Sequence, residues 1–100
     1  MEHNGVQYKF KAKPWQYDGP NGWHFISLPF DTANEIRDNF KWDEEGWGRL
    51  KVTAKIGESE WRTAIWFDTK QKTYLLPLKA EIRKLEQIKI GKFLTVNIWV

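Results

Sequence analysis

Apolar and polar residues alternate from the first regular segment of the chain. Val6, Tyr8, Phe10 and Ala12 share one side, with Gln7, Lys9, Lys11 and Lys13 on the other. Period two with a polar reverse face predicts a half-buried antiparallel strand. Pro14 has no N–H to give a ladder, so the strand ends or bulges there, and Trp15 and Tyr17 continue it loosely. Asp18-Gly19-Pro20-Asn21-Gly22 is a turn cluster. Residues 23–28 (WHFISL) predict a second strand with both faces largely apolar, the mark of a central position. Pro29 stops it. A helix capped by Asp31 or Thr32 follows, with Thr32 and Glu35 at capping-box spacing and Ala33, Ile36 and Phe40 along one stripe, ending near Lys41.

Residues 42–48 (WDEEGWG) read as a loop. Leu50, Val52, Ala54 and Ile56 then alternate with Arg49, Lys51, Thr53 and Lys55 in a third strand. Gly57-Glu58 signals a hairpin. Residues 61–67 form the fourth strand, with Trp61, Thr63, Ile65 and Phe67 opposite Arg62, Ala64 and Trp66, and residues 73–76 the fifth, closed by Pro77. A second helix is expected over roughly 79–87, with Leu78, Ile82 and Leu85 as its core stripe. After Gly91, Leu94, Val96 and Ile98 alternate in a sixth strand.

The order of elements repeats. Leu28-Pro29 matches Leu76-Pro77, Ile36-Arg37 matches Ile82-Arg83, and Gly48 with Leu50 and Val52 echoes Gly91 with Leu94 and Val96. Two halves of this kind supply six strands, enough to close a small pseudo-symmetric β-barrel with a short helix at each end. A five-stranded oligonucleotide-binding barrel would need a helix between strands three and four, where the Gly57-Glu58 hairpin leaves no room.

Trp61-Arg62-Thr63, Tyr74 through Lys79, Ile82-Arg83-Lys84, Ile88 through Gly91 and Leu94-Thr95-Val96 together resemble a bacterial family known only as a domain of unknown function. The likeness runs from Tyr8 onward and is more specific in the second half. Gln87 stands where a small residue is expected, and Lys92 where an acid is common. The resemblance implies a double-split β-barrel of two pseudo-symmetric halves, distantly like swapped-hairpin antitoxins and transition-state regulators, which bind DNA as dimers of one half each. A chain with both halves is expected to be a monomer. The resemblance brings no activity, and fold alone does not carry one across.

Composition narrows the picture further. One hundred residues with 41% hydrophobic content suffice for one domain with its own core. The domain is expected over 6–100, with residues 1–5 a fraying end. No cysteine is present, so disulfides and thiolate metal sites are excluded. The apolar runs are too short to span a bilayer, and MEHNG offers no signal peptide, which makes a cytoplasmic protein the expectation. A net charge of +3 is a mild bias, weaker than that of a dedicated nucleic-acid binder. The outlying feature is the seven tryptophans, good anchors for cores and binding sites alike.

No catalytic signature accompanies them. His3 falls in the terminal segment and His24 within a strand, neither in a nucleophile motif. Two isolated histidines do not make a zinc site, and no cofactor is expected. Asp43-Glu44-Glu45 reads as a solvated loop rather than a cation site. Arg62 is a charge within an apolar strand. On a cleft it could grip a carboxylate or phosphate; in solvent it would only stack on Trp66. Lys79 and Arg83, one helical turn apart, could join it or simply face water. Trp23, Trp47 and Trp61 are the candidate aromatic contacts, Trp47 and Trp42 having the best claim to exposure. The expected function is a non-enzymatic binding module for a small anion, peptide or protein. Nucleic-acid binding by aromatic and basic residues is the alternative.

Overall fold

The computed structural model describes residues 5–100; the expected fraying of the N-terminus, Gly5 apart, lies outside the described residues. The chain is mainly β, with strands β1 (Gln7–Ala12), β2 (Trp15–Gln16), β3 (His24–Ser27), β4 (Arg49–Ile56), β5 (Ser59–Asp68), β6 (Thr73–Pro77) and β7 (Leu94–Trp99). Two short helices are α1 (Phe30–Phe40) and α2 (Ala80–Leu85). The strands form one antiparallel sheet, ordered β1-β7-β4-β5-β6-β3-β2 and curled into a half-barrel. No helix among the described residues is long and apolar enough to cross a membrane.

The sheet has seven strands where the sequence pattern predicts six, because Pro14 divides the first one. β1 pairs with β7 from Gln7↔Trp99 to Ala12↔Leu94. Beyond Lys13 and Pro14 the chain changes partner, and β2 pairs with β3 through Trp15↔Phe25. The two ends of the sheet order are therefore neighbours in sequence. Pro14 is buried, and its carbonyl accepts a hydrogen bond from the Gly91 N–H at 3.1 Å.

The ladders of the two halves correspond. Leu28-Pro29 is set on Leu76-Pro77, and Leu50 and Val52 on Leu94 and Val96. A single register of the first segment on β5, with Gln7 on Glu60 and Trp15 on Asp68, then satisfies both ladders. It carries the rung Gln7↔Trp99 onto Glu60↔Lys55, and Trp15↔Phe25 onto Asp68↔Thr73. β5 thus pairs with β4 and then β6 without a break, as β1 and β2 together pair with β7 and β3.

Inward positions of the strands build one core with the helices. Tyr8, Phe10, Ile26, Leu50, Val52, Ile65, Leu76, Val96 and Ile98 meet Ala33 and Ile36 of α1 and Ile82 of α2. Each such aliphatic side chain contributes about 1.5–3 kcal/mol on burial. Tyr74 is fully buried and donates its hydroxyl to a Glu44 carboxylate oxygen; burial, then Glu44, push its pKa well above 10. Phe67 packs its ring edge-on to Tyr74, at 5.2 Å, and the Arg37 guanidinium lies 3.6 Å from the Phe67 centroid. Within the Asp43-Glu44-Glu45 run, Asp43 and Glu45 are exposed as expected, Glu45 pairing with Arg49, while Glu44 is drawn partly in by Tyr74.

Both helix boundaries depart from the sequence reading. Pro29, not Asp31 or Thr32, is the N-cap of α1; its fixed φ of −56° suits the entry, and its carbonyl accepts from the Ala33 N–H at 2.9 Å. α2 is a single short element ending at Leu85. Glu86 and Gln87 turn out of it, with Gln87 left-handed at φ 52° and the Ile88 N–H bonded to the Arg83 carbonyl at 2.9 Å, a Schellman-type stop. Leu85 consequently points away from the core and is 63% exposed. A left-handed non-glycine residue costs roughly 1–2 kcal/mol. Gln87→Gly removes that cost while loosening the unfolded chain, so the variant is expected to gain up to about 1 kcal/mol. Denaturant unfolding will read the gain as a higher midpoint with an unchanged m-value.

Candidate functional site

Where β3 meets β6, a cleft of about 450 Å³ opens between the strand ends, β5 and the start of α2. Its walls include Trp23, His24, Trp61, Arg62, Lys79 and Arg83. Each arrives by a separate local rule. Alternation on β5 turns Arg62 outward and Trp61 inward. Pro77 ends β6, and Leu78 is tied to β3 by its N–H, which donates to the His24 carbonyl at 2.8 Å. Lys79 is the N-cap of α2, and Arg83 lies one turn further on.

Five of the six candidate binding residues thus meet around one cavity: Arg62, Lys79, Arg83, Trp23 and Trp61. They do not contribute equally. Trp61 is only 9% exposed and serves mainly as core filler, whereas Trp23 is 56% exposed and stacks on Phe25 at 6.2 Å and 19°. Beside the cleft, Tyr17, Trp23 and Phe25 line an apolar recess of about 280 Å³. Trp47 does not line the cleft. It sits on the loop before β4, 91% exposed, with φ 68°. Trp42 is equally exposed.

Among the described residues no carboxylate lines the cleft. Arg62 is exposed and makes no hydrogen bond or ion pair with another described residue. Its alternative placements, cleft or solvent, turn out to coexist, because it stands on the outer sheet face at the cleft's lip. Lys79 has a long, exposed pairing with Glu81 at 3.9 Å. Arg83 is anchored: Nε donates to the Leu78 carbonyl at 3.1 Å, and Nη1 lies 3.4 Å from His24 Nε2.

His24 is the member that sequence reasoning passed over. It shares a strand face with Ile26 and Leu28, both buried, and that parity was the available signal. Since Arg83 can only donate, the contact between them needs an unprotonated Nε2 and places the ring proton on Nδ1. Nδ1 is shielded from solvent and meets no hydrogen-bond partner within bonding geometry among the described residues, while the Gly22 backbone favours the charged ring. Burial first, and the Arg83 charge second, outweigh that and hold the pKa below the ordinary 6.5.

The neutral imidazole is therefore favoured by folding. Unfolded chains take up a proton near pH 6.5 before folded ones do, so stability is full above that pH and falls below it, down to the lowered folded pKa. Melting temperatures followed from about pH 8 to about pH 5 are expected to drop more for the wild type than for His24→Gln. Parallel curves would show that His24 has no part in the acid sensitivity.

A family model described as Domain of unknown function (DUF1905) matches residues 10–98. No curated protein matches the chain. The matched stretch takes in nearly all of both halves, including every residue of the cleft named above. The chain belongs to the DUF1905 family, a domain family of unknown function.

Proposed function

We propose that the domain is a non-enzymatic binding module whose cleft holds an anionic group, the carboxylate or phosphate of a small molecule or of a peptide. The observation that carries this reading is that Arg62, Lys79 and Arg83 line a single cleft with no acid among the described residues of its walls. Three cations so placed, without internal partners for all of their donors, create a positive potential that an incoming anion relieves. Arg62 offers a free planar fork for bidentate pairing. Arg83, already fixed through Nε, presents its remaining donors from a set position at low entropic cost. Trp23 and the adjoining recess suit a flat or apolar portion of the same ligand. Binding rather than catalysis is favoured because His24, the ring base among the lining residues, is turned to Arg83 and not to a hydroxyl.

The sheet is read as a six-stranded double-split barrel closed through the Lys13-Pro14 corner. Support comes from the sequence adjacency of its two end strands and from the matching ladders of the halves. Both halves lie in one chain, so a monomer is the accompanying expectation, and the cytoplasm the expected location.

Titration calorimetry with inorganic phosphate, citrate and a short acidic peptide tests the cleft. Arg62→Ala is expected to weaken the best of these probes by ten-fold or more. Its melting temperature should hardly move, since substitutions at exposed, unpaired positions stay within about 0.5 kcal/mol. Arg83→Ala should lower both affinity and stability, because the Leu78 carbonyl and His24 lose a partner. Failure of all three probes to bind the wild type, or an Arg62→Ala loss of stability matching its loss of affinity, would refute the proposal.

A further inference from the structure

A second charged surface lies outside the cleft. Alternation buries Tyr8, Phe10, Leu50, Val52 and Ile65 and so turns Lys9, Lys11, Arg49, Lys51, Lys55 and Arg62 to the outer face of β1, β7, β4 and β5. The register makes this one continuous face. Lys9 and Lys55 flank Asn97 across β7, Thr53 lies between Trp99 and Arg62, and Arg49 stands opposite Trp66. Outward side chains two residues apart on a strand are about 7 Å apart. The cations are therefore spread obliquely over the sheet from Lys11 on β1 to Arg49 on β4, with Asn97 between Lys9 and Lys55 and Thr53 between Lys55 and Lys51. Where these four strands pair with one another, Glu60 is the sole acid at an outward position. Glu45, from the loop before β4, stands at the far end, 2.5 Å from Arg49 and 4.0 Å from Lys51.

At that end the track opens into a groove of about 600 Å³. Its floor is Thr53 and Ala64, and Arg49, Lys51, Arg62 and Trp66 form its walls. Ala64 is buried without belonging to the core cluster, so its small side chain is what leaves the groove open. Trp66 is 39% exposed and held by the Arg49 guanidinium 5.7 Å from its ring.

We propose that this face binds single-stranded nucleic acid, phosphates following the oblique row of lysines and arginines and a base stacking on Trp66 in the groove. A linear polyanion matches an extended row of cations in charge, and a compact anion would use only one or two of them. An aromatic ring in an open groove beside the row supplies the sequence-tolerant contact that unpaired bases use. The outer surface of a curled sheet cannot enter the groove of a duplex as a helix or ribbon does, which favours a strand with its bases splayed. This site is separate from the anion cleft except at Arg62 and Thr63, which border both.

Fluorescence anisotropy with a labelled oligo-dT of about 15 nucleotides, within reach of such a surface, provides the test. Binding is expected at low salt, with the logarithm of the association constant falling against that of salt at a slope of about −2 to −4. Lys51→Gln together with Lys55→Gln should weaken binding and make the slope shallower by about one unit. Trp66→Ala should weaken it about ten-fold with the slope unchanged. Arg83→Ala, a change confined to the cleft, should leave it as it was. No binding at low salt would overturn the proposal. So would polyglutamate competing as well as the oligonucleotide, or binding lost with Arg83→Ala but kept in the lysine and Trp66 variants. The lysine pair lies on the surface, so the test stands even if Trp66→Ala fails to fold.

Discussion

Pro14 cannot donate a ladder hydrogen bond, and the architecture turns on that missing N–H. β1 runs along β7 as far as Ala12, where an ordinary residue would extend the same ladder. The proline breaks it, and the next two residues find acceptors and donors on β3 instead. One short segment thereby serves both ends of the strand order. The corner is fixed in place, since Pro14 is buried, Gly91 donates to its carbonyl, and the Lys13 ammonium lies 4.7 Å from the Phe93 ring. An exposed edge is a row of unmet hydrogen bonds and a hazard for aggregation, which gives this economy its value.

The two helices place comparable arginines in unlike surroundings. Each half delivers an arginine from its helix, Arg37 in α1 and Arg83 in α2, after an isoleucine that enters the core. Their surroundings differ. Arg37 lies on the Phe67 ring, which packs edge-on to the buried Tyr74, so its guanidinium is taken up by an aromatic face. Arg83 finds a carbonyl and a neutral histidine, neither of which cancels its charge. The first environment turns a cation into structure, and the second leaves it electrostatically available.

Much of this was legible in the sequence because period two and proline punctuation are strong local signals. The strands around Leu50, Ile65 and Val96, the hairpin at Gly57-Glu58 and the Leu-Pro stops needed no tertiary information. What escaped were effects of long-range partners. Pro14 read as a possible strand end, but its change of ladder depends on β3, ten residues on. The stop of α2 at Leu85 is set by a left-handed Gln87, which no propensity scale favours. For the site, Arg62, Lys79, Arg83 and Trp23 stood out by residue type. His24 did not, because its role comes from Arg83 across the fold, at a separation of 59 residues. Trp47 was singled out for its exposed loop. That exposure is real, but the loop belongs to the α1–β4 connection and not to the cleft.

The outward positions carry a further consequence of alternation. A core that takes every second residue leaves the rest of each strand free to vary in polarity, so nothing in the packing of β1, β4 and β5 requires those residues to share a sign. Solubility alone is met as well by mixed charges, which also avoid the repulsion that neighbouring cations impose. Yet Lys9 and Lys55 flank one asparagine across β7, and Lys51 and Arg62 rise from adjacent strands. Concentrating cations in this way raises the energy of the free protein, a cost that a bound polyanion would offset. Arg62 stands at the junction of this surface and the cleft. A ligand that takes up the Arg62 guanidinium in one place would withhold it from the other, so the two would compete through that one side chain.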